Sequence, residues 1–347
     1  MYLQSIVHFR ALAILLIVAS HSYDVAGIPY GGFQNAVLRN LVTGGTTYFV
    51  FISGYMFHHA FYHRFDFPKF LLTKIRFVLV PYLSISIVYL SWLMASDAGL
   101  LLKPFSVSQG DGFVDYIRFC VQVIFYGKAF WAFWYIPFVM LLYSFAQFHF
   151  RYLGMSKSKQ LVIFLVATLI ARVAQRPPLI LSAVHSLVSF TPAYLLGMLC
   201  SQNRSKILSL SDMLMTTALF LGLSALLLQT QSGHIGNYEK SQIFALRGVD
   251  LMVLQKLFLS VGMFLVFEKL RVFEAKLISW ISATSFTVFF LHQWVKDAIH
   301  SFDLSLSTHM PWVDLVLWTI LITTFCSIIA SVGKTLLHKN SRYFLGY

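Results

Sequence analysis

Apolar residues in this chain gather into long runs separated by short polar clusters, and the clusters alternate between strongly basic and nearly neutral. Ten runs stand out, at about 5–22, 41–62, 76–96, 129–148, 160–174, 184–200, 211–228, 250–267, 277–298 and 312–334. A helix needs roughly 20 mainly apolar residues to cross the hydrocarbon core of a bilayer. Each run meets or approaches that length, and the shortest is QLVIFLVATLIARVA at 160–174. The pattern predicts an all-α, polytopic integral membrane protein with about ten transmembrane helices.

Composition agrees. Of 347 residues, 58% are apolar and only 11% charged, and mean hydropathy is +0.73. A soluble core of this length needs no such depletion of charge. No short hydrophobic segment is followed by a small-residue cleavage site, so the first run reads as a retained span. No connection is long enough to form a separate domain, and residues 1–347 read as one transmembrane unit without an appended soluble domain. Cys120, Cys200 and Cys326 are scattered and form neither a disulfide framework nor a metal motif.

Charge distribution gives the expected orientation. With ten spans and both termini in the cytoplasm, sixteen of the 26 Lys and Arg fall on the cytoplasmic side, against four of the 13 Asp and Glu. Every cytoplasmic connection is then basic, as the positive-inside rule requires. The formal net charge of +13 is mostly topological, and nothing in it points to nucleic acid.

One run carries more than an anchor needs. In HFRALAILLIVASHSYD, Arg10 and His21 bracket ten residues whose only polar side chain is Ser20, and Asp24 follows. Eleven residues at about 100° each end some 20° past three full turns, so Arg10 and His21 share one helix face about 16 Å apart. Asp24, three residues beyond His21, reaches it if the helix continues. Arg10 alone is equally explained by snorkelling to headgroups, and Asp24 by a solvated loop. The pair on one stripe is not, because ionisable groups in spans are costly and mark function by default.

FRALAILLIVASH resembles the first-helix signature of the acyltransferase family 3 membrane proteins. GGTTYFVFISGYMF (Gly44–Phe57) resembles their second-helix pattern, FWYIPF (Phe133–Phe138) their Trp-containing helix, and SWISATSFTVFFLHQWV (Ser279–Val295) their late Leu-His helix. The four occur in the family's order. Members transfer acyl groups, often acetyl from acetyl-coenzyme A, to hydroxyls of extracytoplasmic glycans. The resemblance therefore implies an acyl-CoA donor, a glycan or lipid-linked saccharide acceptor, and a place in the bacterial inner membrane among its lipids. Members often carry paired arginines after the second helix. Here Lys74-Ile75-Arg76 stands instead, and lysine lacks the planar bidentate contact of a guanidinium.

Such a reaction needs a base, an oxyanion stabiliser and an anion site. His21 suits the base, with Asp24 as a candidate orienting partner. His292, sixteen residues past Lys276, reaches the depth of His21; a packed histidine bonded to a carbonyl is the equal alternative. Arg10, Lys74 and Arg76 are candidates for the donor phosphates, although any cytoplasmic loop is basic. Lys74 and Arg76 diverge on a regular helix. Ser53 and Gly54 either let helices pack closely or widen a donor tunnel. Trp134 and Tyr135 are expected near the outer interface, where aromatic belts form. Arg172 and Arg176 either meet an anionic acceptor or flank a short span. No Cys, His and Asp spacing suits a metal. A secondary transporter of a lipid-linked glycan or small metabolite is the alternative, but no carboxylate falls near the centre of a predicted span, where proton-coupled carriers place one.

Overall fold

The computed structural model describes residues 3–95, 113–130, 132–174, 182–236, 248–304, 306 and 308–347. Among them the chain forms helices and turns and no strand. The helices are α1 Gln4–His21, α2 Phe33–Val42, α3 Gly45–Met56, α4 Phe67–Lys74, α5 Val80–Ala95, α6 Phe113–Tyr126, α7 Tyr135–Ser144 and α8 Ala146–Leu153. They continue as α9 Lys157–Val173, α10 Ser182–Gln202, α11 Arg204–Ser209, α12 Ser211–Gln231, α13 Leu251–Lys269, α14 Lys276–Ser301, α15 Pro311–Leu337 and α16 Ser341–Phe344.

Among the described residues six helical segments are long and apolar enough to cross a membrane: Gln4–His21, Phe67–Ser91, Ala183–Gln202, Ser211–Gln231, Leu251–Val272 and Pro311–Phe344. The other predicted runs are also helical but differ in kind. α3 has 12 residues and widens into a π turn over Phe57–Phe61. The run at 129–148 divides between α7 and α8 at Phe145. α14 is long, yet it buries Ser282, Thr284, Ser285, Thr287, His292 and Gln293. A helix with so many buried polar groups is built to face other helices, which lowers its apolar average.

Close helix approach sets the architecture. α3 crosses α10 where Gly54 faces Tyr194 and Gly197 faces Phe51. A Cβ added at Gly54 would lie 2.0 Å from the Tyr194 carbonyl oxygen, and one at Gly197 would lie 2.0 Å from that of Phe51. No side chain fits there, so glycine is what permits the backbones to touch. The reading of Gly54 as a packing residue is the one the geometry supports. α12 and α13 repeat the device, with Gly222 against Leu259 and Gly262 against Leu219.

Polar contacts tie the helix ends into two faces. At one, the buried Glu268 carboxylate near the end of α13 accepts from Ser5 of α1 (2.8 Å) and from Arg204 of α11 (2.7 Å). Breaking such a buried pair from one side leaves an uncompensated charge, so it fixes where α1 begins. The other face carries the end of α1, the start of α3 and the end of α14. There Asn40 donates to Thr230 (3.1 Å) and to the His234 carbonyl (2.9 Å), and the buried Lys256 ammonium donates to the carbonyls of Asn40 and Leu41 (3.2 and 2.9 Å) at the end of α2. A cation at a helix C-terminus complements its dipole.

Candidate active site

α1 stops at His21 because Ser22 closes it. The Ser22 N–H bonds the Ala19 carbonyl (3.1 Å), and its Oγ bonds that of Val18 (2.8 Å). The chain then turns, so Asp24 does not lie one turn beyond His21 on a continuing helix. Asp24 instead pairs with Lys296 (3.1 Å) and His300 (3.2 Å) of α14. Burial pushes its carboxyl up, but the Lys296 cation and hydrogen bonds from Lys296, Val25 and His300 outweigh this and hold it below its usual value. The expected Asp24–His21 contact is therefore replaced by a clamp between α1's exit and α14.

His21 meets His292. Nδ1 of His21 lies 2.8 Å from Nε2 of His292, and the rings stack at 5.1 Å with planes 10° apart. The other ring nitrogen of His292, Nδ1, lies 3.0 Å from the Val288 carbonyl and 2.8 Å from that of Phe289. Carbonyl oxygens only accept, so His292 carries its proton on Nδ1 and, when neutral, offers a lone pair at Nε2. His21 must then donate Nδ1–H to it. The consequence is a neutral His21 with its lone pair at Nε2, the form of a proton acceptor. His292 is thus a packed histidine bonded to carbonyls, and its other ring nitrogen touches His21.

Below this pair lies a narrow cavity with room for roughly one water (about 10 Å³). It is lined by Ile17, Thr46, Phe49, Tyr135, Ser285, Phe286 and Phe289. Ile17 sits on the Arg10–His21 stripe, and Ser285 and Phe289 share a stripe of α14 with His292. The buried Ser285 Oγ has no hydrogen-bond partner among the described residues. Such an orphan is costly and is the kind of group that a polar substrate atom satisfies.

A polar lane lies along α7, the helix that also gives Tyr135 to the cavity. Tyr143 Oη is 2.9 Å from Ser53 Oγ, and the Lys74 ammonium lies 4.6 Å from the Tyr143 ring centre. Ser53 and Lys74, far apart in sequence, thus converge on Tyr143. Arg76 does not join them. The backbone widens into a second π turn over Ile75–Leu79, and Lys74 points onto Phe61, Phe70 and Tyr143 while Arg76 is exposed. π turns recur at functional sites.

Other expectations change. Tyr135 is buried against Phe138 and Phe289 rather than set in an interfacial belt, and Trp134 stacks on Phe138 and Phe190. The apolar neighbours of α7 and α14 draw both rings inward. Arg172 is half-buried and its carbonyl accepts from the Asp250 N–H (3.0 Å); Arg176 lies outside the described residues. No group of three metal-binding side chains occurs among the described residues. Lys296 and His300 were not singled out in the sequence, although His292, Lys296 and His300 recur every four residues, the spacing of one helix face.

Comparison with known proteins places the chain. No curated protein and no solved structure matches it. The family model described as an acyltransferase domain, acyltransferase family 3, matches residues 3–332, nearly its whole length. A stripe of Arg10 and His21 closed by a buried histidine, in a bundle of apolar helices, is thus set in a chain that belongs to acyltransferase family 3, a family of membrane acyltransferases.

Proposed function

We propose that the protein is an O-acyltransferase of the bacterial inner membrane, moving an acetyl group from cytoplasmic acetyl-coenzyme A to a hydroxyl of an extracytoplasmic glycan or lipid-linked saccharide. It works as one transmembrane domain with both termini in the cytoplasm. The observation that carries this reading is the His21–His292 contact on the helix stripe that also bears Arg10, with Ser53 and Lys74 gathered on Tyr143 of α7.

Charge and distance assign the two ends. Arg10 and Lys74 attract the donor phosphates, on the face that carries the basic excess and the Arg204–Glu268 pair. His21 stands about 16 Å along α1 from Arg10, comparable to an extended pantetheine arm. The cavity is too narrow for that arm as it stands, so Phe49, Phe286 and Phe289 change rotamer to admit it. Ser285 then hydrogen-bonds a polar atom of the arm.

His21 Nε2 accepts the proton of the acceptor hydroxyl, whose oxygen attacks the thioester carbonyl carbon. His292 receives the His21 Nδ1–H throughout and so stabilises the imidazolium. As the C–S bond breaks, the proton passes from His21 Nε2 to the departing sulfur. Ester and free thiol result, and His21 returns neutral. Asp24 acts at a distance: with Lys296 and His300 it clamps the end of α1 to α14 and so holds the two imidazoles in register.

The transfer itself is tested with the purified full-length protein, labelled acetyl-coenzyme A and saccharides extracted from the cell envelope. Label is expected in base-labile esters of the saccharide; a saccharide that never acquires label contradicts the reading. In the same preparation Lys74→Ala is expected to weaken donor binding roughly ten-fold, a loss of about 1.4 kcal/mol, measured by calorimetry. Arg76→Ala, changing an exposed side chain outside the lane, should weaken it less. The reverse order would move the phosphate site to Arg76.

A further inference from the structure

The loop that leaves His21 carries a construction that the transfer chemistry does not use. Tyr30 is 80% exposed, which is unusual for a large ring, yet it is not left loose. The Arg39 guanidinium lies 4.2 Å from its ring centre and 4.4 Å from that of Tyr23, so the cation is sandwiched between two aromatic rings. Tyr23 in turn meets Trp312 edge-on at 6.5 Å. Arg39 is buried, and among the described residues no carboxylate pairs with it. Its Nη2 donates to the Ile28 carbonyl (2.7 Å), while its Nε has no partner there.

The frame around the loop is equally firm. Asn35 donates to the Gly31 carbonyl (2.7 Å) and accepts from the Trp312 indole N–H (2.9 Å). Tyr23 Oη bonds Thr43 Oγ1 (3.2 Å). A buried cation without a carboxylate is costly, and fold stability does not require it to brace an exposed ring. What the series Trp312–Tyr23–Arg39–Tyr30 achieves is a braced aromatic ring that rests on Arg39 and is otherwise open. Tyr23 is two residues past His21, and Asp24, next in the chain, pairs with Lys296 and His300.

We infer that the Tyr30 ring, held by Arg39, is the platform on which a pyranose ring of the acceptor stacks. A pyranose has an apolar face of axial C–H groups and a rim of hydroxyls. Its apolar face therefore matches an open aromatic face held from behind by a cation, and a braced ring costs little entropy to use. A flexible interfacial tyrosine anchoring the loop to lipid headgroups would need no such bracing. The inference rests on the reading that the acceptor is a saccharide.

The test measures binding, not transfer. Methyl pyranosides of glucose, galactose, mannose and N-acetylglucosamine are added to the full-length protein in detergent, and saturation-transfer NMR reads which sugar protons approach it. At least one pyranoside is expected to bind through its axial C–H face. Tyr30→Ala should weaken that binding roughly 3- to 10-fold, the range of an aromatic contact, while Tyr30→Phe, which keeps the ring, should retain it. Tyr30→Ala also uncovers Arg39, so an unchanged thermal melting curve is required of the variant, and Tyr30→Phe, which still covers it, is the control. Unchanged binding in Tyr30→Ala, equal losses in Tyr30→Phe, or no pyranoside bound by the wild type would each overturn the platform. Pyranoside binding without any acylation of envelope saccharides would count against the acceptor reading and leave the platform standing.

Discussion

Replacing His21 by alanine is expected to cut acyl transfer by roughly 10²–10⁴-fold, the usual loss of a general base, while a non-hydrolysable acyl-CoA analogue still binds. The reason is position. His21 stands about 16 Å along α1 from Arg10, whereas Ser53 and Lys74 gather on Tyr143 of α7. His21 is the last residue of α1, and among the described residues its side chain contributes one ring contact and one hydrogen bond, both with His292. The variant should therefore insert and fold, which its thermal melting curve and its retained donor affinity check. Transfer within a few-fold of wild type by a folded His21→Ala protein would remove His21 from the chemistry.

His292→Phe is expected to have the second largest effect, roughly a 10²-fold loss in kcat with little change in the apparent affinity for the donor. His292 touches no reacting atom in this account; it is a positioning residue. Phenylalanine keeps a planar ring on α14 but offers no lone pair to the His21 Nδ1–H. A buried donor left unsatisfied is costly, so His21 would favour the tautomer that carries its proton on Nε2, where no lone pair remains for the acceptor hydroxyl. Nitrogen-15 NMR of histidine-labelled protein separates this from a mere packing fault. The wild type should show His21 protonated at Nδ1, and His292→Phe should show that signal moved to Nε2. An unchanged His21 tautomer in a slow His292→Phe enzyme would contradict this positioning role.

Much of this site was legible in the residues, and the limits have physical causes. The Arg10–His21 stripe follows from helical period alone, and the depth of His292 follows from counting rise along its helix. The Asp24 contact was misread because it depends on where α1 ends. Ser22 and Ser20 bond the preceding carbonyls and stop the helix at His21, a local competition that composition does not rank. The convergence of Ser53, Tyr143 and Lys74 depends on contacts up to 90 residues apart, set by helix crossings that glycines at 54 and 197 allow. The span count exceeds the six helices long and apolar enough among the described residues because hydropathy treats every run alike. It does not register the break at Phe145 in the 129–148 run, or the buried polar face that makes α14 an interior helix. The triplet His292, Lys296 and His300 was visible as a four-residue repeat, and its meaning emerged only when Asp24 was found opposite.

The central claim is that donor and acceptor meet at His21 from opposite sides of the membrane. Full-length protein reconstituted in one orientation into sealed liposomes tests it directly. Labelled acetyl-coenzyme A is supplied on the side of Arg10 and Lys74, and envelope saccharide on the side of His21 and Asp24. The account predicts acetyl esters on the saccharide and free coenzyme A left on the donor side, with no transfer when the two substrates are exchanged between sides. Transfer only when both substrates share one side, or passage of unmodified saccharide across the membrane without ester formation, would contradict it.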